Sequence, residues 1–151
     1  MAGEFKELYL NSDCVLFRPG QVYLVATTPI FAVIGGPVLI KSLTGVFTVD
    51  QAAGAATLDF DVNAVAVTGG PSAGLAAANA GDIVWCPLDG ATAVGFATTA
   101  LLVSPATPTS FVMASVAPGL VNAIAAVFQI DGIAFSIVYQ RLTPASEVVL
   151  A

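Results

Sequence analysis

Apolar and polar positions alternate most clearly between Pro29 and Asn63, PIFAVIGGPVLIKSLTGVFTVDQAAGAATLDFDVN. Residues 30–34 form an apolar run, Gly35-Gly36-Pro37 is a corner, and residues 38–49 form a long strand. In that strand Leu39, Lys41, Leu43, Gly45, Phe47 and Val49 share one parity. Val38, Ile40, Ser42, Thr44, Val46 and Thr48 share the other. Neither set is polar enough for a clean solvent face, so both faces are expected to be partly covered, and Gly45 predicts a bulge or bend. Residues 50–54 connect to a strand over 55–61. There Leu58 and Phe60 point one way, and Thr57, Asp59 and Asp61 the other.

Upstream, residues 1–13 read as a polar N-terminal arm or a first edge strand, and a single β domain is expected over 14–151. The run Cys14-Val15-Leu16-Phe17 is ended by a turn signal, Arg18-Pro19-Gly20. A strand over 21–26 is broken by Thr27-Thr28-Pro29. Downstream, the Ala/Gly-rich stretch 63–81 predicts a surface loop or a short helix over 75–80. AVIGGP at 32–37 recurs as AVTGGP at 66–71 without matching flanks, which is reused corner chemistry and not a solenoid repeat. Further strands are predicted over 82–86, 93–98, 100–103 and 111–117, with a turn at Pro87-Leu88-Asp89-Gly90 and a stiff connector over 104–109. Residues 120–130 and 133–142 read as a hairpin about Asp131-Gly132, the strongest type I′ signal in the chain. Ile133, Phe135, Ile137 and Tyr139 follow that turn at period two. The tail 146–151 is expected to add an edge strand, to this chain or to a neighbouring subunit. About nine to eleven strands with little helix predict an all-β fold, an antiparallel β-sandwich or β-barrel of jelly-roll-like type.

Composition narrows the function. Hydrophobic residues make up 57% and charged residues 9% of the 151, against about 25% charged in an average soluble protein. A surface so poor in charge is expected to be covered by copies of the chain or by a partner. The only basic residues are Lys6, Arg18, Lys41 and Arg141. Phosphate recognition needs clustered Lys or Arg, so nucleic acid is excluded as a partner, and so is polybasic attachment to a membrane. The mean hydropathy of +0.90 raises the question of membrane spans. Residues 19–40 and 90–130 are uncharged, but Pro and Gly punctuate both, and no Lys/Arg flank orients a span. The opening MAGEFKELYLNSD is not a signal peptide.

Candidate chemistry is sparse. There is no histidine, which removes the commonest general base and metal ligand. Cys14 and Cys86 read as small hydrophobes in a reducing cytosol, a disulfide between them being the alternative. Asp59, Asp61 and Asn63 open like a calcium loop. Ala64 then stands where that loop needs Gly, and Gly70 where it needs Glu. Asp59, Asp61, Asp82 and Asp89 are the acids weighed for a sugar-cleaving pair, and each has a turn or strand-face explanation. Neither Gly-Gly-Pro is followed by the Lys-Ser/Thr of a phosphate loop. Phe31, Phe47, Phe60, Phe96, Phe111, Phe128 and Phe135 read as core. No catalytic, cofactor-binding or metal-binding residue is nominated, and no enzyme activity is expected.

The run Ile30–Leu43, of the form Ile/Leu-Phe-x-Val/Ile-x-Gly-Gly-Pro-Val-x-Ile-x-x-Leu, is followed by the Val/Thr-rich strand 46–49, the Ala-Gly-Ala connection 51–56 and the acidic strand 57–63. Over this quarter of the chain it resembles short virion structural proteins of tailed bacteriophages. The resemblance implies a non-enzymatic capsid decoration (cement) protein on the outer head surface, made in the host cytoplasm. Its implied partners are the major capsid protein and further copies of itself, as in a trimer. A tail, spike or fibre-base component is the alternative within the same class. A membrane-associated protein is the alternative from another class.

Overall fold

The computed structural model describes residues 12–52, 54–97 and 114–151. Among these residues there are eleven strands: β1 (Asp13–Tyr23), β2 (Ala26–Ile34), β3 (Val38–Phe47), β4 (Thr57–Val62), β5 (Val65–Ala66), β6 (Ile83–Trp85), β7 (Gly95–Ala97), β8 (Ala114–Val116), β9 (Gly119–Ala126), β10 (Ile130–Arg141) and β11 (Glu147–Leu150). Sheet 1 has the order β1-β10-β3-β6-β7, with β8 also paired to β3; sheet 2 has the order β11-β2-β9-β4-β5. The pairs β1·β10, β2·β9, β3·β6 and β4·β5 are all antiparallel. That nesting is a long ribbon hairpin rolled up on itself, the jelly-roll form of a β-sandwich, so the sandwich alternative holds over the closed barrel.

The inner faces make one core. Ile40, Leu43, Phe47, Ile133, Phe135 and Ile137 of sheet 1 meet Phe31, Leu58, Phe60, Val121 and Ala123 of sheet 2, all of them buried. Phe135 stacks edge-on against Tyr23 (5.3 Å between centroids) and against Phe60 across the sheets (5.7 Å). Full burial of each large apolar side chain is worth about 1.5–3 kcal/mol. This core is therefore the main term holding the sheets together.

Several predicted elements stand as read. The Gly-Gly-Pro corner joins β2 to β3, and Gly35 adopts φ +71, where a side chain is strained. β4 buries Leu58, Phe60 and Val62 and turns Thr57, Asp59 and Asp61 outward. Ile133, Phe135, Ile137 and Tyr139 are buried along β10. The tail 147–150 is an edge strand paired to β2 of its own chain, with Val148 buried. β6, β7 and β8 lie within the strands predicted over 82–86, 93–98 and 111–117. The strand over 100–103, the connector 104–109, Phe111 and residues 1–11 of the predicted arm lie outside the described residues.

Other readings are corrected, because contacts between distant segments outrank the local signal. Arg18-Pro19-Gly20 is no turn: β1 runs through it, with register irregularities between Arg18 and Tyr23. An edge strand tolerates a proline there, since one row of its N–H groups has no ladder partner to lose. Thr27-Thr28-Pro29 likewise lies inside β2. The chain breaks instead at Leu24-Val25. Gly45 is not the bulge. The register slips at Lys41, between the pairs Val138–Ser42 and Tyr139–Ile40. No helix forms over 75–80; Leu75 and Ala78 are buried plugs of an irregular loop. Asp131-Gly132 is the largest departure. It lies within β10, and β9 and β10 belong to different sheets, so no hairpin joins them. Asp131 accepts from the backbone N–H of Ala52 (2.7 Å) and from Gln129 Nε2 (2.8 Å), while its own N–H donates to Gln51 Oε1 (3.0 Å). These bonds hold the dipeptide extended. The two-residue turn that does form is Asn63-Ala64, at φ +53 and +61, between β4 and β5.

Candidate functional site

Two apolar surfaces distinguish this molecule. The first is the tip where the β1–β2, β3–β4 and β9–β10 connections meet. Leu24, Val25, Val49, Val127 and Phe128 are all exposed there, Leu24 and Val127 by 65% each. Loops of this kind are normally polar, and five bare apolar side chains on three adjoining loops form a patch. The tip is braced from below. Gln51 Nε2 donates to the Gln129 carbonyl (2.7 Å), its amide oxygen holds the Asp131 N–H, and it is buried. The Phe128 ring covers Gly54 so closely that a Cβ there would overlap it.

The second surface is the outer face of sheet 1. Alternation along β1 sends Cys14 and Leu16 inward and leaves Val15 (67%) and Phe17 (59%) in solvent. Cross-strand register aligns Phe17, Ser136, Thr44, Trp85 and Gly95 in one row. Beside it run Val15, Val138 and Ser42 on one side and Ala134, Val46, Ile83 and Ala97 on the other. The Trp85 indole lies against Gly95, where any Cβ would overlap it. Among the described residues the ion pair on this face is Lys41–Asp13 (2.5 Å), at one corner. The outer face of sheet 2 is mixed: it carries Asp59 and Asp61 on β4, Asn122 on β9 and Glu147 on β11 beside the exposed Ile34 and Leu120.

Each acid weighed for chemistry is tied to local structure. Asp59 accepts from the Thr68 hydroxyl and the Phe60 N–H, and Asp61 from Asn122 Nδ2 (2.6 Å). Asn63 is not turned toward them as a ligand. Its Oδ1 accepts from the Leu120 N–H (2.9 Å) and ties β4 to β9. Asp82 is buried and accepts from the Asn79 N–H (2.8 Å). Asp89 accepts from the Thr92 hydroxyl, the Thr92 N–H and the Ala91 N–H, and these bonds hold its carboxyl below the usual range. Among the described residues no three His, Cys, Asp or Glu side chains converge. Cys14 and Cys86 are both free thiols, and burial pushes Cys86 up to about 12. Of the predicted core phenylalanines, Phe31, Phe47, Phe60 and Phe135 are buried, Phe96 packs partly against the core, and Phe128 belongs to the tip.

The tip escapes a reading of the sequence because Leu24-Val25 and Val127-Phe128 continue apolar runs that look like strand interiors. The sheet face leaves one trace: strands 42–46 and 82–86 are apolar or small on both parities, with no charge after Asp82. No described helix is long and apolar enough to cross a membrane. Comparison with protein-family models, with curated proteins and with solved structures finds no match.

Proposed function

We propose that this chain is a non-enzymatic structural protein of a tailed-phage virion, a head decoration protein that docks on the major capsid protein across capsomers. The observation that carries the reading is the braced apolar tip of Leu24, Val25, Val49, Val127 and Phe128. A rigid patch of this kind binds by area and shape, with little ordering cost on docking. The stretch that resembles phage virion proteins supplies β2, β3 and β4 and so contributes to both sheets. The jelly roll by itself hosts many functions and decides none. The described basic residues are engaged: Arg18 Nη1 with the Ile30 and Ala151 carbonyl oxygens, Lys41 with Asp13, Arg141 with Glu147. That speaks against nucleic acid. A protein that binds only the assembled shell stabilises it by mass action, and many weak contacts add up over a closed lattice.

The test is copy number on gradient-purified particles, by quantitative mass spectrometry against the major capsid protein. A ratio near one-to-one or a simple fraction of it is expected. A handful of copies moves the protein to the tail or a vertex. Absence from particles, with recovery on floated lipid vesicles, overturns the proposal in favour of membrane insertion of the same apolar tip.

A further inference from the structure

From the outer face of sheet 1 we infer that it is the contact between two copies of this chain, packed sheet to sheet about a two-fold axis. Charge is the first argument. The chain carries a net charge of −6, so like-charge repulsion opposes self-association through most of its surface. The outer face of sheet 2 would set Asp59 and Asp61, neither of them ion-paired among the described residues, against their copies. Among the described residues the outer face of sheet 1 opposes no unpaired carboxylate, since the charges there are the Lys41–Asp13 pair at one corner.

Relief is the second argument. Val15 and Phe17 make a ridge on β1, and Ile83 and Trp85 make another on β6. Between them β10 presents Ala134, Ser136 and Val138 and β3 presents Ser42, Thr44 and Val46, a lower floor whose largest side chains are the two valines. At about 4.8 Å per strand the ridges stand roughly 14 Å apart. A two-fold copy offset by two strands lays one ridge on the floor of the other, which is the self-complementarity an isologous contact requires. Area is the third. Strand spacing and rise give this face on the order of 600 Å² per copy. The roughly 1,200 Å² buried by a pair lies at the lower end of the range for specific interfaces. A reversible pair is expected, and its stoichiometry is two, where the resemblance implied three.

The chain has one tryptophan, and Trp85 lies on this face, so its emission reports the contact directly. The experiment is sedimentation velocity and Trp85 emission of the purified full chain, from sub-micromolar to hundreds of micromolar, with no capsid present. Its failure is therefore distinct from failure of the decoration reading. A monomer–dimer transition is expected, with the emission moving to the red on dilution. Phe17→Lys is expected to weaken the dimer by roughly tenfold or more. This variant lowers the net negative charge and so favours association in bulk; any loss must arise at the face. Val15→Lys, at a still more exposed site on the same strand, repeats the test should Phe17→Lys fold poorly. Leu120→Lys, exposed at the start of β9 in sheet 2, is expected to leave the dimer within about twofold. A monomer at every concentration overturns the inference. So does a stoichiometry other than two, association unchanged by the β1 variants, or association lost in Leu120→Lys.

Discussion

Gly45→Ala sets two principles against each other, and its sign decides between them. By propensity alone, alanine in a strand interior is favoured over glycine by about 0.5–1 kcal/mol. Packing argues the opposite. Gly45 lies in register between Phe135 of β10 and Val84 of β6. A Cβ on it would stand 2.7 Å from Ile133 Cδ1, 2.8 Å from Val84 Cγ2 and 2.9 Å from Phe135 Cε1. All three neighbours are fully buried, so none has open space to turn into. Overpacking of this kind costs about 1–3 kcal/mol, which leaves a net loss of about 1–2 kcal/mol after the propensity gain. Ile133→Val removes the nearest clashing carbon and costs about 0.5–1.5 kcal/mol alone. The double variant is then expected to be more stable than the sum of the two losses by about 1 kcal/mol. Urea unfolding of the four proteins measures this, with an unchanged m-value as the check that only stability moved. A stabilised Gly45→Ala, or a strictly additive double variant, refutes the reasoning.

Other outcomes follow from the same structure. Burial lifts the Cys86 thiol from its ordinary 9.0 to about 12, so the folded state holds this proton more tightly than the unfolded one. The stability it contributes is present in full below about pH 9 and lost as pH rises toward 12, on the order of 4 kcal/mol in all. Burial raises Tyr23 and Tyr139 too and steepens the same slope, so Cys86→Ala is expected to flatten it only in part in pH-dependent denaturation. At Gly35, alanine meets both the φ of +71 and the backbone oxygen of Ala145, whereas at Gly70 nothing lies within 4 Å. Gly35→Ala is expected to cost about 3 kcal/mol or more and Gly70→Ala about 1–2 by urea titration; equal losses would contradict the difference between the two Gly-Gly-Pro corners. Removing residues 147–151 uncovers the β2 edge and the pocket of Val148. A fall in the thermal midpoint of the isolated protein is expected, and an unchanged midpoint would return this tail to the role of an arm for a neighbour.

How much of this was legible depends on where each segment finds its partner. β4 was legible because its alternation is decided locally, with Leu58 and Phe60 on one side and acids on the other. The Gly35 corner was legible because only glycine adopts its backbone cheaply. The Asp131-Gly132 turn misled because, from β1 through β4, from β8 to β9 and again after β9, the rolled ribbon switches sheets at every connection. Sequence-adjacent strands therefore seldom pair, and a local hairpin signal carries less weight than in a meander. The tip was missed for a related reason. An apolar loop looks like a strand until the register shows that Leu24-Val25 and Val127-Phe128 are connections. Local rules fail there, and such failures are expected where a surface serves a partner.

The two surfaces constrain one another. The tip lies at one end of the strands, and the outer face of sheet 1 lies along them. A two-fold axis parallel to the strands points both tips the same way, and an axis across the strands points them apart. Only the parallel arrangement lets a pair dock both tips on one shell, with the second contact made at the effective concentration set by the first. Phe17→Lys, which touches no tip residue, is then expected to weaken capsid binding through lost avidity alone, by no more than the factor by which it weakens the dimer, roughly tenfold. Its isolated tip contact stays intact, so raising the protein concentration restores full occupancy of the shell. Titration of stripped particles with the wild type and Phe17→Lys separates the cases. A binding curve that does not shift places the tips of the pair back to back, with one tip per shell contact.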